Sequence, residues 1–257
     1  MKIDLVLTAC NNVYKYISYY PIVYKVWKKR FNLDLYLILI NDEIPEFLQK
    51  YKDTIILFPE FDNIHSGFIS QVIRVLYPAL FENKNILITD MDILPISKKY
   101  FIDSISIYDD KKFITYTDRY INRKNQDPLY AICYNVSNSK TWKEIFNINN
   151  KNDIKNKIKE WYDSGYTGKK NCPGWYKDQL KLYEYVQNWE RKNEDLIILK
   201  DSDLGYKRLD KRNRIIIQVL RNWDRTKNEI KNGIYSDIHI TKRIPDEKLE
   251  EFVELLI

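Results

Sequence analysis

The sequence predicts an α/β fold with a mostly parallel, doubly wound sheet flanked by helices and a less regular C-terminal half. Three observations carry this. Short apolar runs alternate with helical patterns through the first half; each run is short enough for a buried strand; and the strongest chemical motif closes one of those runs. Such alternation gives parallel strands joined by crossover helices, and ligands bind such sheets beyond the carboxyl ends of the strands.

Strands are expected at residues 3–8, 34–40, 54–58, 86–89 and 113–117, which are rich in Ile, Leu and Val. A helical pattern covers residues 13–31, where Pro21 either kinks the helix or opens its second part. A second helix is expected over 66–80, with Ile69, Val72, Ile73, Leu76 and Leu80 as its core-facing stripe. Beyond these, residues 129–136 read as a strand, and 139–146 and 154–162 as helices. The loop at 164–175 holds Gly165, Gly168 and Gly174, three of the six glycines in the chain, which marks a demanding backbone path. A helix over 175–192, a strand over 196–199 and a closing helix over 245–256 follow. No repeat, low-complexity tract or linker interrupts the chain, so residues 1–257 read as a single domain.

The composition, 44% hydrophobic and 30% charged, is that of a globular protein. A net charge of +6 suits an anionic ligand such as a nucleotide diphosphate. No zinc-finger, RNP-type or basic-zipper pattern appears, so no nucleic-acid partner is expected. Cys10, Cys133 and Cys172 are odd in number and widely spaced, which argues against a disulfide framework or a zinc site. The N-terminus enters a strand directly, without a signal peptide, and no apolar run approaches the ~18–20 residues of a transmembrane segment. A cytoplasmic protein is the expectation.

The strongest motif is Asn85-Ile86-Leu87-Ile88-Thr89-Asp90-Met91-Asp92-Ile93-Leu94-Pro95. An apolar strand delivers two carboxylates, one residue apart, at its carboxyl end. Carboxylates buried there without partners would cost several kcal/mol, and a divalent cation would resolve that cost. Their hard oxygens suit Mg²⁺ or Mn²⁺, and such an ion can neutralise a departing diphosphate. The alternative is a strand-end turn whose aspartates cap a helix or face water. Gln71 and Arg74, three apart and off the apolar stripe, share a face of the second helix. The basic stretches at 119–124 and 207–214 read as solvated surface in preference to acceptor contacts.

These residues resemble a family. The initial strand ending Leu7-Thr8-Ala9-Cys10-Asn11-Asn12, then Tyr14, resembles the uridine-binding start of GT-A glycosyltransferases. The Asp90–Asp92 triplet looks like their DxD motif. Trp175-Tyr176-Lys177-Asp178-Gln179 resembles the late D-Q helix start of several such families. Asp237-Ile238-His239 is similar to a C-terminal segment that supplies a further metal ligand in some of them. The order matches over residues 3–243, and the nearest likeness is to small single-domain enzymes of bacteria and large DNA viruses.

The resemblance implies a nucleotide-sugar-binding half at 1–118 and an acceptor-binding half at 119–257. A UDP-sugar would be the donor, and a glycan or other small hydroxyl compound the acceptor. Thr8, Ala9, Cys10 and Asn11 would line the base and ribose, with Tyr14 either stacking on uracil or packing its own helix. Gln71, Arg74, Asp90 and Met91 would face the donor, although Arg74 can equally be a solvated arginine. Asp90, Asp92 and His239 would hold the metal, and imidazole beside carboxylates favours Mn²⁺ over Mg²⁺. A structural role for His239 in its strand is the alternative. Lys242 would pair with the diphosphate. Asp178 would bind the acceptor hydroxyl or take its proton, although the helix dipole alone can explain a carboxylate there. The competing classes are a haloacid-dehalogenase-like phosphohydrolase and a non-catalytic nucleotide-sugar-binding protein. The first would place its Asp-x-Asp after the first strand, and this motif comes later.

Overall fold

The computed structural model describes residues 1–123, 126–209, 222–240 and 246–257. Its strands are β1 Leu5–Asn11, β2 Asp34–Ile40, β3 Ile55–Phe58, β4 Asn85–Ile88, β5 Ile93–Pro95, β6 Phe113–Thr115, β7 Asn135–Asn138, β8 Leu196–Ile198, β9 Arg208–Leu209 and β10 Asp237–His239. The helices are α1 Tyr14–Ile17, α2 Tyr20–Val26, α3 Ser66–Leu76, α4 Lys98–Phe101, α5 Ser139–Phe146, α6 Lys151–Trp161, α7 Lys177–Asn193, α8 Asp201–Leu204, α9 Trp223–Lys231 and α10 Asp246–Leu256.

Seven strands form the main sheet in the order β3-β2-β1-β4-β7-β6-β8. Only β7 runs against the rest, pairing antiparallel with β4 (Leu87↔Val136) and with β6 (Ile114↔Val136). β1 is buried along its whole length, as a central strand covered on both faces must be. Its side chains alternate. Leu5, Leu7 and Ala9 join the core under α3, while Val6 and Cys10 join the opposite core with Val23 and Val26 of α2. The chain passes from β1 to β2 and β3 on one side, then returns to set β4 on the other side of β1. That reversal opens a crevice at the carboxyl ends of β1 and β4.

The helical pattern at 13–31 breaks into α1, α2 and a π-helical turn, Trp27–Phe31, that ends at left-handed Asn32 (φ 57°). Pro21 sits in the first turn of α2, where its missing N–H costs nothing, so it opens the second part instead of kinking one long helix. The second expected helix is regular only to Leu76; Pro78 lies in a 3-10 turn, Tyr77–Leu80. His65 precedes it as a cap, its Nδ1 accepting the Gly67 N–H at 3.0 Å.

One expected strand is corrected. Of residues 129–136, only Asn135 and Val136 are in a strand. The Asn135 side-chain amide donates to the carbonyls of Ala131 (2.8 Å) and Ile132 (3.1 Å), so a side chain takes the place of a neighbouring strand and the segment folds back.

Helix α6 starts on a reciprocal cap. Asn150 Oδ1 accepts the N–H groups of Asn152 (2.8 Å) and Asp153 (3.2 Å), and Asp153 Oδ2 accepts the Asn150 N–H (3.1 Å). Asn150→Ala is expected to lower stability by about 1 kcal/mol with unchanged donor binding, read by urea unfolding. An unchanged unfolding midpoint would show that the cap contributes nothing.

A second sheet, β5-β10-β9, positions the far end of the chain. β10 lies antiparallel to β5, with His239 opposite Ile93, and parallel to β9. Buried Asp237 holds it there, accepting from the Tyr134 hydroxyl (2.7 Å) and from Arg208 Nε (2.8 Å) and Nη2 (2.7 Å). Helix α10 closes the core beneath α2 with Leu249, Phe252, Val253 and Leu256. Among the described residues no helix is long and apolar enough to cross a membrane.

Candidate active site

β4 ends at Ile88, and Thr89 to Asp92 form the turn into β5. The Thr89 N–H donates to the Leu7 carbonyl at 3.0 Å, which fixes the turn to the end of β1. Asp90 and Asp92 then leave the apolar strand with side chains only 25% and 24% exposed. Such carboxylates need compensation.

Each finds a different partner. Arg74, on the last turn of α3, is buried and places Nη1 on Asp90 Oδ1. Its Nη2 lies 3.3 Å from Asp178 Oδ2, so one guanidinium bridges two carboxylates from distant parts of the chain. Burial pushes the Asp90 carboxyl up, but the charge and hydrogen bond of Arg74 outweigh burial and hold it below the usual range. Asp178, the second residue of α7, is more completely buried. Burial pushes its carboxyl up to about 6 against the pull of Arg74 and of the Gln179 N–H, which donates to Asp178 Oδ1 at 2.9 Å. Asp92 is met by His239, whose Nε2 lies 3.0 Å from Asp92 Oδ2. The hydrogen bond to Asp92 raises the imidazole above its ordinary range despite burial. The Ile240 N–H donates to the Asp92 carbonyl at 2.8 Å, so the β5–β10 pairing sets this contact.

A cleft of about 490 Å³ opens over these groups. Ala9, Cys10 and Asn11 line it from β1, and Gln71 and Arg74 from α3. Asp90, Met91, Asp92, Asp178 and His239 complete the wall expected from the sequence. Asn11 is held by its side-chain amide, which donates to Ser66 Oγ at 3.3 Å. Burial pushes the Cys10 thiol up to about 12, so it lines the cleft as a small neutral group.

Two expected contacts are not made. Thr8 is fully buried one pleat back within the sheet and does not reach the cleft. Tyr14 is 73% exposed and meets Phe47 edge-on, with ring centroids 5.9 Å apart. The cleft is lined instead by Tyr16, two positions on, because the short α1 turns that side chain toward β1. Lys242 lies outside the described residues.

The donor set at Asp92 and His239 suits a small divalent ion. Two ligands at right angles, about 2.1 Å from such an ion, stand roughly 3 Å apart, the separation of these two atoms. Asp90 is turned to Arg74, and among the described residues no three His, Cys, Asp and Glu side chains converge on one point. Asp92 and His239 are thus the two described side chains whose spacing would fit such an ion, and between themselves they make a hydrogen bond.

No family model and no curated protein matches the chain. Solved structures do. A bifunctional glycosyltransferase, WbbM, aligns over 99% of this chain and 50% of its own, with 11% identity and a TM-score of 0.52. An active-site mutant of LgtC aligns over 97% of this chain and 94% of its own, with 11% identity and a TM-score of 0.51. The fold is that of the GT-A glycosyltransferases. A glycosyltransferase involved in the glycosylation of the major capsid of PBCV-1 aligns over 98% of this chain and 99% of its own, at 10% identity and a TM-score of 0.46. Likeness at this level speaks for the fold, and the chemistry rests on the side chains.

In this GT-A fold the cleft also takes in residues to which the sequence assigned no donor-binding, metal or catalytic role. Gln179 lines the cleft beside Asp178; its place after that aspartate was the available signal. Trp175 and Tyr166 stack with planes 9° apart on the far wall. His65, read as a cap, also faces the cleft. Arg208, in a stretch expected to be solvated, is instead mostly buried against Asp237, and its signal was hidden because its partner lies 29 residues away.

Proposed function

We propose that the protein is a metal-dependent glycosyltransferase that moves a sugar from a nucleotide-diphosphate donor, a UDP-sugar, to a hydroxyl group of a glycan or other small acceptor. The observation that carries this reading is the convergence of Asp90, Asp92, His239, Arg74 and Asp178 on one cleft at the carboxyl ends of β1 and β4. That is where an open α/β sheet binds its ligand. The GT-A fold, shared with LgtC and WbbM, supports it.

Each side chain has a task in this reading. Asp92 and His239 hold a divalent cation, Mn²⁺ in preference to Mg²⁺ because one donor is an imidazole. When bound, the cation neutralises charge on the departing diphosphate. Ala9, Cys10 and Asn11 face the nucleoside, and Gln71 the ribose. Arg74 fixes Asp90 and Asp178 relative to each other, so donor and acceptor groups share one rigid frame. Asp178 stands at the reacting hydroxyl. A carboxyl at about 6 is ionised at neutral pH, yet is a better proton acceptor than an ordinary aspartate. The face of Trp175 offers a stacking surface for a sugar ring.

Titration calorimetry with UDP decides the donor and metal. Binding is expected with Mn²⁺ and is expected to vanish in excess EDTA. Tight binding in EDTA would remove the metal from this reading, and no binding in either condition would remove the nucleotide. His239→Ala is expected to weaken Mn²⁺ binding by at least the ~10- to 100-fold that loss of a supporting partner costs, with an unchanged circular dichroism spectrum. Equal Mn²⁺ affinity in the folded variant would return His239 to a purely structural role.

A further inference from the structure

A second chamber adjoins the donor cleft on the far side of Asp90. It encloses about 220 Å³ and shares Asp90, Ile132 and Gln179 with the cleft, so a group seated there reaches the same reacting centre. Its walls differ in kind. They carry Arg119, Arg123 and Arg208 and the tyrosines Tyr120, Tyr176 and Tyr206, and among the described residues the one carboxylate on the wall, Asp90, is engaged by Arg74.

The arginines are not equally committed. Arg208 is spent on Asp237 through two nitrogens and contributes a fixed positive wall. The side chain of Arg119 is 47% exposed; among the described residues its one close carboxylate is Asp201, at 3.5 Å, and its guanidinium lies 5.3 Å from the Tyr206 ring. Arg123 lies 6.0 Å from the Tyr176 ring, and among the described residues no carboxylate stands within salt-bridge distance of it. Arginine stacked on a ring keeps its planar fork free for a carboxylate or phosphate, which it grips with two parallel hydrogen bonds. Tyrosine faces supply the complementary surface for a sugar ring.

We propose that this chamber is the acceptor subsite and that it selects an acceptor sugar bearing an anionic group, a carboxylate or a phosphate, gripped by Arg119 and Arg123. The proposal rests on the transfer reading above for the word acceptor, but the binding itself does not depend on it. A neutral sugar would leave the Arg123 fork with water and Arg119 with Asp201 at 3.5 Å. An anionic one gains charge-assisted bonds and presents its hydroxyl across Gln179 to Asp178.

The test uses methyl pyranosides of gluco, galacto and manno configuration, each as the neutral sugar, the 6-carboxylate and the 6-phosphate. Binding to the full-length protein is measured by ligand-observed NMR without nucleotide. At least one charged member is expected to bind tenfold or more tightly than its neutral counterpart, and the carboxylate and phosphate arms identify the anion. Arg123→Gln and Arg119→Gln are each expected to reduce that preference to less than twofold while leaving UDP and Mn²⁺ binding unchanged. Equal binding of charged and neutral sugars, or no binding of any, overturns the proposal. A parallel loss of UDP affinity in both variants also overturns it, by assigning the arginines to the donor diphosphate. If charged sugars bind selectively but UDP does not bind wild type, the chamber stands and the transfer reading falls.

Discussion

Arg74→Met is expected to destabilise the protein by about 3–5 kcal/mol at pH 8, the cost of leaving buried carboxylates without their counter-charge. Methionine fills the volume of the arginine stem, so the loss reads charge and not a cavity. Arg74 is buried, and among the described residues it is the one guanidinium touching both Asp90 and Asp178. The pH dependence separates this from a packing defect. In the wild type, Arg74 holds Asp90 below its ordinary range, so the stability from that pair is present above the unfolded pKa and is lost as pH falls through the folded one. In the variant the main opposition to burial is gone, and both carboxyls are expected to titrate higher folded than unfolded. The folded variant then binds more protons than its unfolded state, so its deficit is greatest at high pH and shrinks as pH falls toward 5. Urea unfolding of both proteins at pH 5 and pH 8 measures this. A deficit equal at the two pH values would show that the bridge is not what Arg74 contributes.

Asp178→Asn is expected to slow sugar transfer by ~10²- to 10⁴-fold while binding UDP and Mn²⁺ as tightly as wild type. Removing a group that acts only on the acceptor in the transition state lowers turnover without touching donor affinity. Stability should move the other way or not at all. With its folded carboxyl raised to about 6, Asp178 favours folding only at low pH, and its contribution is lost as pH rises through about 6. An amide carries no such charge, so the variant should unfold at pH 8 at the same or higher urea concentration. Wild-type transfer should rise with pH through about 6 and then level, as expected for a base that must be ionised. Near-normal turnover in the folded variant would confine Asp178 to its structural contacts, the hydrogen bond at the start of α7 and the pairing with Arg74.

The pattern of loss across these variants follows how the site is assembled. Asp90 and Asp92 were legible because a strand ending in two carboxylates is a local event: Ile86, Leu87 and Ile88 are buried, and the next residues must find partners. Gln71 and Arg74 were placed on one face by helical spacing alone, although nothing local showed that Arg74 would be buried. Tyr14 and Tyr16 could not be told apart, because which one reaches the cleft depends on where a four-residue helix begins. Residues 129–134 read as strand because their apolar character is real; Leu129, Ala131, Ile132 and Cys133 line the chamber wall instead, and Tyr130 and Tyr134 enter the cores.

The sequence by itself determined the alternation of strands and helices, the carboxylate pair at the end of β4, and the off-stripe face of α3, since each is written within a dozen residues by a period of 2 or 3.6. The tertiary structure decided what those groups meet. His239 reaches Asp92 across 147 positions because β10 pairs with β5 in one register. Arg74, already paired with Asp90, reaches Asp178 across 104 positions because α7 starts over the end of α3. Arg119 and Arg208 become walls of one chamber only when β9 is laid beside β10. Such contacts depend on sheet order and register, which are settled by how two whole cores fill and not by any local pattern.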